Sequence, residues 1–449
     1  MFRKLLIANR GEIARRINTV ARQMGLETVA VYSDVDAELP FVREASQAVR
    51  IGAAPAKDSY LRVEALIAAA RETGAEAIHP GYGFLSESAE LARACSQAGL
   101  IWVGPSPETM TRMKDKSQAR RLVHEAGVPI VPGTPDVVPD VATALREAER
   151  LGYPVLCKAV GGGGGIGMAV AANAAELEKV FRQCTDRARA AFGREGVYLE
   201  RYFAAPRHLE VQILGDTHGH LIHLLERECS IQRRHQKVVE EAPSPLFAGG
   251  AHAALRERLY SSALSAARAF GYTNAGTVEM LYADGEVYFI EMNARLQVEH
   301  PVTELTTGVD LIGWQLRIAA GERLTVAQSD VQRKGAAIEF RLYAEDPVRF
   351  LPSPGKLVTF DVPKGEGVRL DAGYEAGNTI TPYYDPLIAK LIVWGASRDE
   401  AIAKSSEVLS ETRIEGPKTN VALHGRIVAD EAFRAGRLTT RFLEQHALP

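Results

Sequence analysis

The first 115 residues alternate short apolar runs with amphipathic stretches, and that alternation leaves the chain few architectures to choose from. "KLLIA" reads as a strand, "GEIARRINTVARQMG" as a helix and "ETVAVYS" as a second strand. "SYLRVEALIAAARETG" is helical, "AEAIHPG" is a strand, and "LARACSQAGLIWVGP" repeats the theme. Strands that alternate with helices form βαβ units and a parallel sheet. An α/β domain is expected over this part of the chain.

At 449 residues the chain has room for two or three domains. Two helix-like turns follow the first domain, and "PGTP" at 132–135 breaks the pattern. Residues 151–203 read strand, glycine loop, strand, helix, strand, a small inserted subdomain. From 205 the pattern becomes β-rich and antiparallel, with helices at 251–270 and near 309–320, and the C-terminal part is α+β with no linker before it. The net charge of −3 argues against a general polyanion binder, so no nucleic-acid partner is expected and any phosphate site must be built locally. No apolar stretch approaches membrane-spanning length. Cys95, Cys157, Cys184 and Cys229 lack metal-ligand spacing and sit inside strand or helix patterns, as reduced, buried thiols do. The N-terminus leads into charge rather than a cleavage site, and a cytoplasmic protein is expected.

In "KAVGGGGGIGMAV" five glycines stand in a row between two apolar segments. Gly162, Gly164 and Gly167 satisfy the G-x-G-x-x-G spacing, but a dinucleotide fold needs a helix directly afterwards, and "MAVAA" is a second strand. No Gly-Lys-Ser/Thr ending marks a Walker loop. The glycines therefore sit in a hairpin that can fold over a polyphosphate and offer several backbone N–H groups. A flexible surface hairpin is the competing reading. Lys158, at the end of the preceding strand, can place an ammonium beside the phosphates.

A second constellation is "GTVEMLYADGEVYFIEMNARLQVEH". Glu279 and Glu291 lie on consecutive strands joined by Ala-Asp-Gly, and Asn293 shares the face of Glu291 because strand side chains alternate. Two carboxylates and an amide oxygen are hard ligands suited to Mg²⁺ carrying nucleotide phosphates, with a solvated strand face as the alternative. A two-residue turn at Asp284-Gly285 would put Glu279 and Glu291 on opposite faces. A shared metal site thus predicts an odd loop, most simply three residues with Gly285 left-handed, or another bulge in the hairpin. Period two continues through Arg295, Gln297 and Glu299, which suggests a polar cavity floor. A third segment, "RECSIQRRHQKVVEEAPSP" at 227–245, is dense in cations and amides and reads either as an exposed basic loop or as an ordered, anion-facing segment.

Together "HPGYGFLSE", "KAVGGGGGIGM", "RECSIQRRHQKVVEEAPSP", "EMNARLQVEHPVTE" and "FLPSPGK" resemble biotin carboxylase, an ATP-grasp enzyme, essentially end to end. The chain is similar to the free-standing biotin carboxylase subunit of acyl-CoA carboxylases. The resemblance implies an N-terminal Rossmann-like (pre-ATP-grasp) domain over 1–115, an ATP-grasp domain over 116–330 with a mobile lid at 132–204, and a biotin carboxylase C-terminal domain over 331–449. It implies carboxylation of carrier-borne biotin by ATP and bicarbonate through carboxyphosphate, the first half-reaction of an acyl-CoA carboxylase in fatty acid or acyl-CoA metabolism. Glu299 is then the general base; Lys237, Arg295, Gln297 and the Val298 backbone hold bicarbonate; Arg341 stabilises the ureido oxyanion; and Tyr82 and Asp385 fall near the biotin site. Glu279, Glu291 and Asn293 would hold Mg²⁺ or Mn²⁺. Lys116, Lys158, Gly163, Gly164, Gly165, Gln232 and His235 match the phosphate and nucleotide contacts, Glu200, Arg201 and Phe203 the adenine hinge, and His208 and Leu281 the ribose and base pocket. The implied partners are a biotin carboxyl carrier protein, a second copy in a homodimer and a carboxyltransferase subunit. No Met-Lys-Met tripeptide occurs, so biotin is expected on a separate chain. The sequence departs from the family pattern at Ile166 and Ala169, where basic residues are common, and at Arg201, where Lys is common.

Overall fold

A computed structural model describes residues 1–159, 167–192, 196–234 and 236–446, with side chains at 190–192 left out of the description. Gly163, Gly164, Gly165, Ile166 and His235 lie outside the described residues.

The N-terminal sheet is parallel, with strand order β3-β2-β1-β4-β5. Its strands are β1 (Lys4–Ile7), β2 (Glu27–Ser33), β3 (Gln47–Gly52), β4 (Ala77–His79) and β5 (Ile101–Trp102). Helix Gly11–Gln23 buries Ile13, Ile17, Val20 and Ala21, spaced three or four apart on one face. Gly11 starts that helix at φ +66°, a left-handed entry that a β-carbon would disfavour. The sequence pattern misses β3, an edge strand half of whose residues are exposed.

A small antiparallel sheet, order β7-β6-β8, comprises β6 (Val155–Ala159), β7 (Met168–Ala171) and β8 (Val197–Arg201). Helix Ala174–Phe192 packs on it, and Val155, Cys157, Ala171, Leu177 and Leu199 form its own core. The glycine run joins β6 to β7.

The central sheet has eight strands in the order β13-β12-β9-β10-β11-β14-β19-β17. They are β9 (Arg207–Gly215), β10 (Leu221–Arg233), β11 (Gln236–Ala242), β12 (Asn274–Ala283), β13 (Glu286–Asn293), β14 (Ala336–Tyr343), β17 (Val368–Ala372) and β19 (Leu387–Gly395). Short pairs β15 (Gly355–Lys356) with β18 (Thr379–Ile380) and β16 (Thr359–Asp361) with β20 (Arg413–Glu415) complete the C-terminal part. β11 pairs with β14, so one antiparallel sheet runs continuously from the middle of the chain into its C-terminal part.

The hairpin β12–β13 differs from the expected three-residue loop. Ala283 pairs with Glu286, leaving a two-residue turn in which Asp284 (φ 51°) and Gly285 (φ 83°) are both left-handed. Further along, Met280 pairs with Phe289 but Glu279 pairs with Glu291, so Ile290 is an inserted bulge residue. That bulge, rather than the turn, puts the two carboxylates directly opposite each other on one face. The strand then ends at Asn293, and period two does not continue to Glu299 as strand. Glu299 instead precedes helix His300–Thr307, whose Pro301 is suited to a first helical turn, where its missing N–H leaves no bond unmade.

Candidate active site

A cleft of about 3020 Å³ opens between the N-terminal domain, the small three-stranded sheet and the central sheet. From the small sheet come Lys158, Glu200, Arg201 and Phe203. Lys158 reaches across to Glu200, which also accepts from Arg120 at 2.6 Å. Arg201 bonds Asp284 at 3.0 Å, tying β8 to the tip of the β12–β13 hairpin, and Phe203 stacks on Tyr288 at 5.3 Å. Lys116, at the start of helix Lys116–Glu125, stands 4.0 Å from Glu291.

The floor is the central sheet, carrying His208, Gln232, Lys237, Glu279, Leu281, Glu291 and Asn293. His208 pairs with Leu281 in register across β9 and β12, which sets the two side by side. Glu279 accepts from Lys237 at 3.1 Å, from Asn293 at 2.8 Å and from Gln297 at 2.7 Å, and its other oxygen lies 3.2 Å from His208. Burial would lower the His208 pKa, but Glu279 and Glu210 outweigh it and lift the imidazole to about 9. Burial likewise opposes ionisation of Glu279, yet Lys237 and His208 hold its carboxyl well below the usual range.

Glu291, nearly half exposed, is less fully compensated. Partial desolvation, and then the charge of Glu279, push its carboxyl above the usual range, with Lys116 and Lys237 pulling the other way. Two facing carboxylates, one of them under-compensated, fit a divalent cation that prefers oxygen donors. The Asn293 amide oxygen already accepts from Arg295 at 3.0 Å, so any metal would share it. His208, Glu210 and Glu279 also bring ligand atoms within 4.8 Å of one another, but the Lys237 ammonium contacts both carboxylates of that cluster.

Arg295, Gln297, Val298, Glu299 and Arg341 close the far end. Glu299 accepts from Lys237 at 2.7 Å and from Arg341 at 3.0 Å, and Arg341 bonds Glu240 at 2.6 Å. Burial and the Glu210 charge disfavour ionised Glu299, but Lys237, Arg341 and Arg227 outweigh them and keep it below the usual range. A carboxylate at the N-terminal end of a helix gains further from the helix dipole.

Tyr82 and Asp385 are not among the lining residues. The Tyr82 hydroxyl donates to Glu12, and exposed Asp385 accepts from the Leu387 amide at 2.9 Å. Sequence reasoning missed Glu210, Arg227 and Glu87. Glu210 is fully buried and takes Lys237, His208 and Arg227. Arg227, also fully buried, reaches Gln212 at 2.7 Å and Gln297 at 2.5 Å, bracing the segment beside Glu299. Glu87 accepts from the Ala294 amide at 3.0 Å and stands 3.7 Å from Arg295. Polar residues 208, 210 and 212 at period two within an apolar strand were the available signal for a polar inner face.

Three family models cover the chain: "Biotin carboxylase, N-terminal domain" over 1–110, "Carbamoyl-phosphate synthase L chain, ATP binding domain" over 115–327, and "Biotin carboxylase C-terminal domain" over 339–445. A biotin carboxylase from Halalkalibacterium halodurans is 50% identical over 448 residues, 99% of this chain and 98% of that one. A pyruvate carboxylase subunit from Methanothermobacter thermautotrophicus is 47% identical over 99% of this chain and 90% of its own. Among solved structures, the biotin carboxylase domain dimer of Hydrogenobacter thermophilus 2-oxoglutarate carboxylase, in complex with MgADP, ADP and bicarbonate, matches with a TM-score of 0.93 at 46% identity, covering 100% and 98% of the two chains. The Campylobacter jejuni biotin carboxylase–β,γ-ATP complex gives 0.94 at 41% identity, covering 99% of each. The chain belongs to the biotin carboxylase family of ATP-grasp ligases, the catalytic type that serves biotin-dependent carboxylases.

Proposed function

We propose that the chain uses ATP and bicarbonate to carboxylate biotin borne on a separate carrier protein. The observation that carries this reading is the grouping of Glu299, Lys237 and Arg341 at one end of a cleft whose floor presents the facing Glu279 and Glu291. A relative of this fold is solved in complex with MgADP, ADP and bicarbonate, which supports the same ligands here. The segments 1–115, 116–330 and 331–449 serve as N-terminal, ATP-grasp and C-terminal domains, with 132–204 as lid.

In this reading Lys237, Arg295, Gln297 and the Val298 amide hold bicarbonate, the guanidinium offering a planar fork to the anion. Glu299 takes the bicarbonate proton, and the freed oxygen attacks the γ-phosphorus of ATP as ADP leaves. Lys116, Lys158 and Gln232, with Gly163, Gly164, Gly165 and His235, hold the phosphates. Glu200, Arg201, Phe203, His208 and Leu281 receive the adenosine. Glu279, Glu291 and Asn293 would hold Mg²⁺ or Mn²⁺, which neutralises charge on phosphoryl oxygens when bound. Carboxyphosphate then releases CO₂ and phosphate beside the biotin ureido ring. The released phosphate takes the ring N–H proton, Arg341 stabilises the negative charge that develops on the ring oxygen, and the ring nitrogen then bonds to CO₂. Tyr82 and Asp385 enter only as parts of the biotin approach.

The protein is assigned to an acyl-CoA carboxylase of fatty acid or acyl-CoA metabolism, acting in the cytoplasm as a homodimer with a carrier protein and a carboxyltransferase. A second reading, a 2-oxo acid acceptor, is favoured by the equally long matches to the pyruvate and 2-oxoglutarate carboxylase relatives. Bicarbonate-dependent ATP hydrolysis stimulated by free biotin tests the common step, and absence of bicarbonate dependence would refute it. Transfer from carboxylated carrier to acyl-CoA or to a 2-oxo acid separates the two acceptors.

A further inference from the structure

One fully buried lysine, Lys390 on β19, sits behind the segment that ends in Glu299. A lysine removed from water is held only by partners that replace its hydration. Its ammonium donates to the Val298 carbonyl at 2.9 Å, ion-pairs with Glu12 at 3.2 Å and lies 3.8 Å from Asp371. Asp371 has a second partner in Arg369, at 2.7 Å. Glu12, in the first turn of helix Gly11–Gln23, also accepts from Tyr82, so the lysine ties residues of the N-terminal domain to the cleft segment.

The preceding peptide is held from the other side. The Gln297 carbonyl lies 2.8 Å from His300 Nδ1 and accepts from the His300 amide at 3.3 Å. A carbonyl only accepts, so the His300 proton resides on Nδ1. Burial, reinforced by Lys390, Arg369 and Arg16, keeps that imidazole neutral, well below its ordinary value. In a planar trans peptide the C=O and N–H directions are locked together. Holding the Gln297 carbonyl therefore aims the Val298 N–H, and holding the Val298 carbonyl aims the Glu299 N–H.

We infer that Lys390 and His300 are positioning residues that fix the two peptide planes flanking Val298, so that its amide and the Glu299 carboxylate meet bicarbonate in one geometry. Neither touches the reacting atoms. The inference rests on the reading of 295–299 as the bicarbonate site.

The test compares the full-length parent with Lys390→Met and with the charge-balanced double variant Lys390→Met/Glu12→Gln, by steady-state ATP hydrolysis with bicarbonate and ATP varied separately. Loss of one charged hydrogen bond predicts a rise in bicarbonate KM on the order of tenfold in both variants. The ATP KM should stay within about twofold. The single variant also loses thermal stability, because Glu12 is left buried without its cation, and the double variant recovers stability without recovering bicarbonate KM. A double variant with parental bicarbonate KM, or with both KM values rising together, overturns the inference. So does failure of both variants to fold, which would make Lys390 purely structural. A parent enzyme without bicarbonate dependence instead refutes the site reading, and the inference falls with it.

Discussion

Replacing Arg341 with Ala removes a guanidinium that bonds Glu240 at 2.6 Å and Glu299 at 3.0 Å, and the two contacts predict different losses. The catalytic loss follows from charge that is useful only as the ureido oxygen becomes negative. Removing one such donor costs on the order of 100-fold or more in kcat, about 3 kcal/mol. The ATP KM should barely move, because Lys158 and Lys116 are untouched. The stability loss follows from Glu240, whose carboxyl is raised by burial to about 7 even with Arg341 beside it. Breaking a buried pair costs about 3–5 kcal/mol when the remaining charge cannot be neutralised. Here it can be, by protonation. Below about pH 7 Glu240 is protonated in parent and variant alike, and the loss at this contact is small. Above that value the parent releases the proton while the variant, lacking the cation, retains it or carries an unpaired charge. The native variant then binds more protons than the native parent, so its relative stability falls as pH rises. Chemical denaturation at pH 6 and pH 9, with biotin carboxylation measured in parallel, separates the two losses. Adding Glu240→Gln to Arg341→Met should flatten the pH dependence without restoring turnover. An unchanged kcat would remove Arg341 from the chemistry, and a pH-independent stability difference would refute the role given to Glu240.

Glu299→Gln keeps the shape of the base but not its proton affinity, and bicarbonate-dependent ATP hydrolysis should fall by on the order of 100-fold or more with nucleotide Kd unchanged. Retention of parental turnover would assign the base elsewhere. Glu291→Gln removes the under-compensated carboxylate opposite Glu279, and the Mg²⁺ needed for half-maximal activity should rise about tenfold; an unchanged Mg²⁺ requirement would exclude Glu291 as a ligand. Gly164→Val should raise the ATP KM sharply whereas Ile166→Arg is tolerated, because the loop is read as closing over phosphates by backbone N–H groups. Parental ATP kinetics in Gly164→Val would reduce the glycines to a surface hairpin.

Elements with strong local patterns were legible in the sequence: the parallel strands β1, β2 and β4 and helix Gly11–Gln23 follow apolar periodicity that local composition imposes. The β12–β13 hairpin shows where legibility stops. "DG" correctly announces a two-residue turn, and a two-residue turn with regular pairing would have separated Glu279 from Glu291. Nothing in "EVYFIEM" singles out Ile290 as the residue to be extruded. The bulge becomes visible only when the register is known on both sides of it. The Asp385 carboxylate accepts from the Leu387 amide, a local turn contact that its own short-range sequence supplies.

The buried charges explain why the rest of the site resisted sequence reading. Lys237 was placed by motif, but its setting is set by Glu210, Glu279 and Glu299, which come from β9, β12 and the segment before helix His300–Thr307. Each of those acids, read alone, is an ordinary glutamate. Brought together they hold Lys237 charged although it is largely withdrawn from water, and Lys237 in turn keeps Glu279 and Glu299 ionised. The mutual dependence has a functional consequence. A base held below its ordinary pKa by Lys237, Arg341 and Arg227 is a weak base until an incoming anion draws on one of those cations. In the proposed function bicarbonate draws on Lys237, which would strengthen Glu299 as a base at the moment its substrate arrives. Arg227 and Lys390 are needed behind it because a cluster so densely charged keeps one arrangement only if the surrounding donors leave it no other.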